Sequence, residues 1–164
     1  MKIAIISDSH DNLANLKKAI SLIKKEKIKF LIHCGDIFTS DVIREVSKDF
    51  KGKIYIIFSK ADADFAGIPR NSFKNLLRVR IYEEFGEIKG DGKKIAFTHF
   101  PEIARELVAT QKYDLVFYGH THKPWEERIR KTRLINPGEL AGMFYKPTFA
   151  IYDTKTNKLE LKIL

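Results

Sequence analysis

The sequence predicts an α/β layered fold, and three observations lead to that prediction. Short, nearly all-apolar segments at 2–6, 30–33 and 54–58 have the composition of strands that are buried on both faces. A polar loop follows each segment, and apolar residues at helical spacing come after the loops. Because 164 residues suit one domain, we take residues 1–164 as a single domain.

Three strand–loop–helix units begin the chain. After the first strand, a helix is expected from Asp11 or Asn12, either of which can cap it. A second helix is expected to begin at Ser40 or Asp41. Successive units of this kind are typical of parallel strands, and ligands bind outside the carboxyl ends of such strands.

The second half of the chain favours hairpins. Asp91-Gly92 is a strong hairpin turn, and Asn136-Pro137-Gly138 is a turn between two later hairpins. Pro101 suits the first turn of a helix that runs to about Gln111. Further strands are expected at 79–82, 87–89, 94–98, 115–118, 126–130, 133–135, 148–152 and 158–163.

Composition excludes several classes of protein. With 44% hydrophobic and 31% charged residues, the chain is not intrinsically disordered. Its one cysteine rules out an intramolecular disulfide framework and a zinc site built from several cysteines. No apolar run approaches about 18 residues, which excludes a membrane helix, and the first residues do not resemble a signal peptide. We therefore expect a cytoplasmic protein.

The charge of the chain is strongly basic. The formal net charge is +9, from 30 Lys+Arg against 21 Asp+Glu, which is compatible with a nucleic-acid partner. The lysines are scattered over predicted helix faces, however, and enrichment in Lys and Glu is also typical of hot-adapted proteins. We favour thermal adaptation and keep nucleic acid as the alternative.

Aspartate and histidine residues recur where predicted strands end. Six residues share this placement: Asp8, His10, Asp36, His99, His120 and His122. Carboxylate and imidazole ligands together suit divalent ions such as Mn, Fe, Co, Ni or Zn. Because six ligands exceed the need of one tetrahedral site, they favour a two-metal site with a bridging carboxylate, and the predicted cofactor is one or two divalent metal ions. Two ions about 3.5–4 Å apart can hold a bridging hydroxide and polarise a phosphoryl group.

These motifs, in this order, resemble the calcineurin-like metallophosphoesterases. The resemblance covers nearly the whole chain and is carried by Asp8-x-His10, Gly35-Asp36, His99 and Gly119-His120-Thr121-His122. Further motifs are closer to the small bacterial and archaeal phosphodiesterase branch, namely His33-Cys34-Gly35-Asp36 and Asn136-Pro137-Gly138. The resemblance implies two packed mixed β-sheets, a β-sandwich, flanked by helices.

The resemblance also implies a role for each of these residues. Asp8, His10 and His122 would hold one metal ion, Asp36 would bridge, and His99 with His120 would hold the second ion. Asn12 would contact the substrate phosphate. Hydroxide held by the metal would then attack a phosphate ester, and a phosphodiester is the favoured substrate.

One ligand of the family is absent from this sequence. The family has an Asn after the third strand, where this chain has Lys60, and an ammonium group cannot coordinate a cation. Three outcomes are open: water replaces the amide, Lys60 holds the substrate phosphate, or the loop shifts so that Asp62 or Asp64 becomes a ligand. Lys60 can equally point to solvent and only weaken the second site.

Asp62 and Lys60 are the candidates for catalytic side chains other than metal ligands. Asp62 can protonate the leaving oxygen, and its alternative role is a salt bridge with Lys60 or a loop cap. Two further residues, His33 and Cys34, are expected mainly to pack. The aromatic candidates for a substrate wall are Phe38, Phe65 and Phe100.

The predicted function is therefore a metal-dependent phosphoesterase with a phosphate-ester substrate and divalent metal cofactors. The principal alternative is a catalytically impaired scaffold or binding protein on the same fold, because the retromer scaffold subunit resembles this family and works through protein contacts. A nuclease is a further alternative, favoured by the basic charge. A homodimer is the expected oligomeric state.

Overall fold

Two β-sheets packed against each other form the centre of the protein. The computed structural model describes residues 1–58, 62 and 77–164. The strands are β1 (Lys2–Ile6), β2 (Phe30–His33), β3 (Lys53–Ile57), β4 (Val79–Tyr82), β5 (Phe85–Gly90), β6 (Lys93–Thr98), β7 (Leu115–Phe117), β8 (Trp125–Ile129), β9 (Thr132–Asn136), β10 (Thr148–Asp153) and β11 (Lys158–Ile163). The helices in the described part are α1 (Leu13–Lys25), α2 (Ser40–Asp49) and α3 (Pro101–Ala109). None of them has the length and apolar character that a membrane crossing requires.

Both sheets contain parallel and antiparallel pairs. The first sheet has the order β11-β10-β1-β2-β3-β4, in which β1 to β4 run parallel and β10 is antiparallel to β1 and β11. The second sheet has the order β5-β6-β7-β9-β8. Its central pairs, β6–β7 and β7–β9, are parallel, and its edge strands are antiparallel to their neighbours.

Three apolar clusters define the layers. Alternate residues of β1 point to opposite sides, so that Ile3 and Ile5 belong to the core between the sheets. Ala4 and Ile6 belong to the core that includes the buried faces of α1 and α2. A third cluster joins the outer face of the second sheet to α3. The predicted fold class, two packed mixed sheets flanked by helices, is confirmed, and burial on both faces explains the continuous apolar character of β1.

Most predicted elements lie within one or two residues of their expected bounds. Asn12 caps α1, since its Oδ1 accepts a hydrogen bond from Asn15 N at 3.1 Å. Asp91-Gly92 joins β5 to β6 with φ values of 49° and 77°, the positive pair that a tight hairpin turn needs. The two later hairpins form but belong to different sheets. The helix expected after the third strand lies outside the described residues.

Parallel pairing brings four polar loops to one edge of the molecule. Ile6 is opposite His33, which places the loops after β1 and β2 side by side. Phe97 is opposite Phe117, which does the same for the loops after β6 and β7. All six predicted ligands lie in these loops, at the strand ends where open α/β sheets bind ligands.

Replacing Phe97 by alanine tests the core between the sheets. Phe97 is fully buried, and its ring is edge-to-face with Tyr82 at a centroid distance of 5.3 Å. We expect Phe97→Ala to lower the free energy of unfolding by about 3–5 kcal/mol, because the substitution leaves a cavity and the surrounding residues lose apolar contacts. Phe85→Ala, on the edge strand and partly exposed, should cost about 1 kcal/mol or less. Urea unfolding measures both, and equal losses would contradict this description of the core.

Candidate metal centre

The loops that carry the predicted ligands have unusual backbone conformations. Five residues have φ values between 41° and 67°: Asp8, His10, Asp36, His120 and His122. Few residues other than glycine adopt this left-handed conformation, which costs about 1–2 kcal/mol per residue. Five of the six predicted ligands therefore carry backbone strain, and such clustering is typical of functional sites.

Hydrogen bonds between loops hold the ligand residues in this conformation. Asp8 N donates to the carbonyl of Gly35 at 3.0 Å, and His10 N donates to the carbonyl of Asp36 at 3.2 Å. A third loop joins them through a side chain, because His120 N donates to both carboxylate oxygens of Asp8, at 3.0 and 3.2 Å. The three loops thus fix one another.

Gly35 and Gly119 allow the ligand side chains to approach the backbone. A Cβ atom on Gly35, which has a φ of 104°, would lie 2.9 Å from His99 Nδ1. A Cβ atom on Gly119 would overlap the Ser7 hydroxyl and lie 2.8 Å from Asp8 Oδ2. Both positions therefore require glycine for reasons of packing at the site.

Four of the predicted ligands bring their ligand atoms together. The ligand atoms of Asp8, His10, Asp36 and His122, here called the four-residue cluster, all lie within 4.8 Å of one another. His10 Nε2 is 3.1 Å from Asp36 Oδ2 and 3.3 Å from His122 Nε2. His122 Nε2 is 3.6 Å from Asp8 Oδ1. Ligands of one ion at about 2.0–2.2 Å are about 3.0–3.6 Å apart, so these separations fit a single divalent cation.

The two imidazoles of the cluster differ in what orients them, and His122 has the contact that a metal ligand requires. His122 Nδ1 is 2.9 Å from a carboxylate oxygen of Glu139. Since that carboxylate is an acceptor, the ring donates from Nδ1 and Nε2 keeps its lone pair toward the cluster. His10 Nδ1 is buried and has no hydrogen-bond partner in the part of the chain that the structure describes. The His10 ring is held by the contacts of its Nε2 and by the Phe38 ring, which lies edge-to-face with it at a centroid distance of 4.7 Å.

Burial and charge act against each other in the cluster. Burial raises the pKa of Asp8 above its ordinary value, although His99 and His122 act to lower it. The hydrogen bond with Asp36 raises the pKa of His10. Burial also acts to raise the pKa of Asp36, but the hydrogen bond with His10 helps to outweigh it, and the net shift is downward. A cation among these groups would stabilise both carboxylates in their ionised form.

His99 and His120 form a second group beside the cluster. Their ring centroids are 5.2 Å apart. His99 donates from Nδ1 to the carbonyl oxygen of Cys34 at 3.0 Å, which leaves its Nε2 with a lone pair. Neither residue belongs to the group whose ligand atoms lie within 4.8 Å of one another. The assignment of His99 and His120 to a second ion stays a prediction.

Glu139 is a site residue that the sequence analysis missed. Its carboxyl group is fully buried and contacts His122 directly. Burial acts to raise its pKa, but hydrogen bonds from Tyr145 N and His122 help to outweigh burial and hold the pKa of Glu139 below its usual range. The sequence feature that could have indicated this role is an acidic residue followed by apolar residues, directly after the turn that ends at Gly138.

Comparison with known proteins identifies the family. The calcineurin-like phosphoesterase superfamily domain matches residues 1–157. The chain belongs to this superfamily. It is 32% identical over 158 residues to phosphodiesterase MJ0936 of Methanocaldococcus jannaschii, with 94% of each chain covered. The assignment to the calcineurin-like metallophosphoesterases, which the strand-end motifs suggested, is confirmed.

Solved structures share the fold of this calcineurin-like phosphoesterase. A protein described as a novel archaeal phosphodiesterase matches it with a TM-score of 0.87 and 30% identity over the whole of both chains. Vacuolar protein sorting 29 from Cryptosporidium parvum matches with a TM-score of 0.70 and 17% identity, over 99% of this chain and 96% of that one. At 17% identity the likeness concerns the fold alone.

The residues predicted to contact the substrate or to take part in catalysis are only partly within the described part of this phosphoesterase. Asn12 uses both ends of its amide on the backbone, since Oδ1 accepts from Asn15 N and Nδ2 donates to the carbonyl of Ala141 at 2.9 Å. Asp62 is buried, and its Oδ1 accepts from Ile37 N at 3.4 Å. Three other candidates lie outside the described residues: Lys60, Asp64 and Phe65. Their roles and those of Asn12 and Asp62 stay predictions.

Three phenylalanine rings border the histidines of the phosphoesterase site. The ring pairs are Phe38 with His10 at 4.7 Å, Phe100 with His120 at 5.1 Å, and Phe144 with His122 at 5.0 Å. We call Phe38, Phe100 and Phe144 the apolar rim. Phe144 is 70% exposed, and no periodic pattern in the sequence indicated that it would lie beside His122.

His33 is buried outside the cluster, as expected for a packing residue. Its Nε2 is 3.0 Å from Ser9 Oγ, and its Nδ1 accepts from Gly35 N at 3.2 Å. Burial lowers the pKa of His33 to about 3. The folded protein therefore keeps this ring neutral at pH values where the unfolded chain would protonate it.

The depressed pKa of His33 predicts a loss of stability in mild acid. The unfolded chain binds this proton near pH 6.5 and the folded chain only near pH 3, so the contribution is present above pH 6.5 and lost as the pH falls toward 3. Between pH 7.5 and 5.5 the wild-type protein should lose about 1.4 kcal/mol more free energy of unfolding than His33→Gln. Urea unfolding at both pH values measures the difference, and identical pH dependence would contradict the prediction.

Proposed function

We propose that this chain is a metal-dependent phosphodiesterase, a hydrolase that cleaves phosphate esters. The observation that carries the proposal is the four-residue cluster at the carboxyl ends of parallel strands. Its atoms have the separations and the mixed donor types of a divalent metal site. Such a cluster within a superfamily of phosphoesterases supports hydrolysis.

The diester class is supported by relatives and by the shape of the site. Both the M. jannaschii relative and the archaeal structure are described as phosphodiesterases. Their similarity extends over nearly the whole chain, so it is not limited to the motifs. A diester has two organic arms on its phosphate, and the apolar rim offers one of them an apolar contact at the edge of the ligand cluster.

Each residue of the site has a part in this proposal. When bound, a divalent ion would polarise a phosphoryl oxygen and lower the pKa of a bound water to near neutrality. The four-residue cluster would hold that ion, and His99 with His120 would hold a second one. Asn12 would contact the substrate phosphate, and Asp62 would protonate the leaving oxygen. The position of Asp62 supports this role, since its Oδ1 accepts a hydrogen bond from Ile37 N, directly after Asp36 in the chain.

The finer details of the proposal concern the metal and the location of the protein. We propose manganese as the ion, since the two carboxylates and two imidazoles of the cluster suit it, as they also suit Zn, Fe, Co and Ni. A cytoplasmic location is supported by a single cysteine, Cys34, which is buried as a free thiol. The homodimer and the nucleic-acid partner stay predictions.

A non-catalytic scaffold on the same fold is the competing function. The observation that favours it is Lys60, which stands where the family resemblance requires an amide ligand. A second site weakened by Lys60 would still leave the four-residue cluster intact, because none of its members follows the third strand. The enzyme and the scaffold therefore differ in whether the four-residue cluster supports hydrolysis of a phosphate ester.

Removing one charged ligand tests the proposed hydrolysis. We expect purified protein to hydrolyse bis-(p-nitrophenyl) phosphate in the presence of Mn²⁺. Asp36→Asn should lower kcat about 100-fold or more, because losing a charged ligand weakens the hold on an ion that supplies several kcal/mol of transition-state stabilisation. Asp41→Asn, at an exposed aspartate that pairs with Arg44 on α2, is the matched control and should keep full activity. Absence of turnover with every divalent metal would favour the scaffold.

Restoring the amide at position 60 tests the effect of the lysine. If Lys60 weakens the second site, Lys60→Asn should bind more Mn²⁺ per chain and hydrolyse the diester faster, because an amide oxygen can coordinate and an ammonium cannot. Isothermal titration with Mn²⁺ and steady-state rates measure the two effects, with Lys155→Asn as an exposed control. A fall in activity would show instead that Lys60 takes part in the reaction.

A further inference from the structure

The carboxylate of Glu139 lies at the junction of two parts of the site. Oε2 accepts hydrogen bonds from His122 Nδ1 and Met143 N, both at 2.9 Å. Oε1 accepts from Phe144 N at 2.6 Å and from Tyr145 N. One fully buried carboxylate therefore satisfies four donors, of which one belongs to a member of the four-residue cluster and three belong to one short segment.

The first consequence concerns His122. The Glu139 contact fixes the ring so that Nε2 faces His10 Nε2 at 3.3 Å and Asp8 Oδ1 at 3.6 Å. A carboxylate behind a ligating histidine orients the ring and raises its basicity, and loss of such a partner typically weakens metal binding 10- to 100-fold. Glu139 therefore acts on the cluster through His122.

The second consequence concerns residues 143–145. These residues belong to no helix or strand, and the three successive N–H groups converge on Glu139. With the backbone held inward, the side chains of Met143, Phe144 and Tyr145 are 59%, 70% and 47% exposed. The Phe144 ring lies edge-to-face with His122 at a centroid distance of 5.0 Å. The same carboxylate thus presents an apolar surface beside the ligand that it orients.

We propose that Glu139 is a positioning residue that couples cation binding at the cluster to the order of residues 143–145. A cation that holds His122 in place also favours the ring position that Glu139 requires, and Glu139 then holds the three N–H groups. Because coupling between two sites is reciprocal, order in the segment also favours cation binding. A second part of the proposal rests on the proposed phosphodiesterase activity: Phe144 contacts an apolar or aromatic ester arm of the substrate.

Hydrogen exchange with Mn²⁺ as the probe tests the coupling. In the wild-type protein, Mn²⁺ should slow exchange at the amides of residues 143–145. Glu139→Gln keeps the size of the side chain but offers only one acceptor oxygen, so it cannot serve both His122 and the segment. In this variant the affinity for Mn²⁺ should fall 10- to 100-fold, and saturating Mn²⁺ should slow these amides less than in the wild-type protein.

Glu160→Gln is the matched control for this experiment. Glu160 is a carboxylate with two partners, Lys158 and Lys162, on the edge strand β11. The variant should keep the wild-type affinity for Mn²⁺ and the wild-type protection of residues 143–145. A purely structural role of Glu139 would lower stability and the protection of residues 143–145 in the absence of Mn²⁺, but it would leave the affinity for Mn²⁺ and the slowing caused by Mn²⁺ unchanged. Wild-type affinity and wild-type slowing by Mn²⁺ in Glu139→Gln, or no effect of Mn²⁺ on these amides in the wild-type protein, would overturn the coupling.

Kinetics of Phe144→Ala test the contact with the substrate. The variant should keep its Mn²⁺ affinity and raise KM for bis-(p-nitrophenyl) phosphate several-fold, with a smaller effect on kcat. An unchanged KM would overturn this part of the inference. Mn²⁺ binding and hydrogen exchange do not involve turnover, so the two proposals can fail separately. If the protein shows the coupling but hydrolyses no phosphate ester, the proposed function is wrong and the coupling stands.

Discussion

The site depends on one constraint. Parallel strands must hold side by side the loops that follow them, although ligand residues in those loops have a left-handed backbone conformation. The pairing of Ile6 with His33 brings the first two loops together, and N–H groups of the first loop donate to carbonyls of the second. Five left-handed ligand residues cost about 1–2 kcal/mol each, a large sum for a domain of ordinary stability. The strands below the loops, buried on both faces, offset that cost.

The second sheet is as necessary to the site as the first. His120 N donates to the Asp8 carboxylate, which joins the loop after β7 to the loop after β1. Gly119 must lack a side chain for this approach, because a Cβ atom would overlap the Ser7 hydroxyl. The ligands therefore meet only when both sheets are packed. A cation that binds this arrangement and not the unfolded chain would stabilise the whole fold.

Local patterns predicted those features that depend on local physics. The apolar segments of β1 to β3, the Asp91-Gly92 turn and the Asn12 cap each follow from a short stretch of sequence. The assignment of the two later hairpins to different sheets did not follow, because β10 pairs with β1 across the length of the chain. Strand ends indicated the six candidate ligands. The sequence did not indicate Glu139 and Phe144, because their roles depend on His122, which only the tertiary fold brings beside them.

The choice between an enzyme and a scaffold has to be argued from the site, since one fold supports both kinds of function. The likeness to vacuolar protein sorting 29 shows the shared architecture and nothing about chemistry. The strained ligand residues, and the buried carboxylate that orients His122 toward other ligands, are both features that cation binding would use. The left-handed backbone reduces stability, and a bound cation would offset that cost. The presence of both features together with close ligand separations therefore favours a working metal site, even with Lys60 at the amide position.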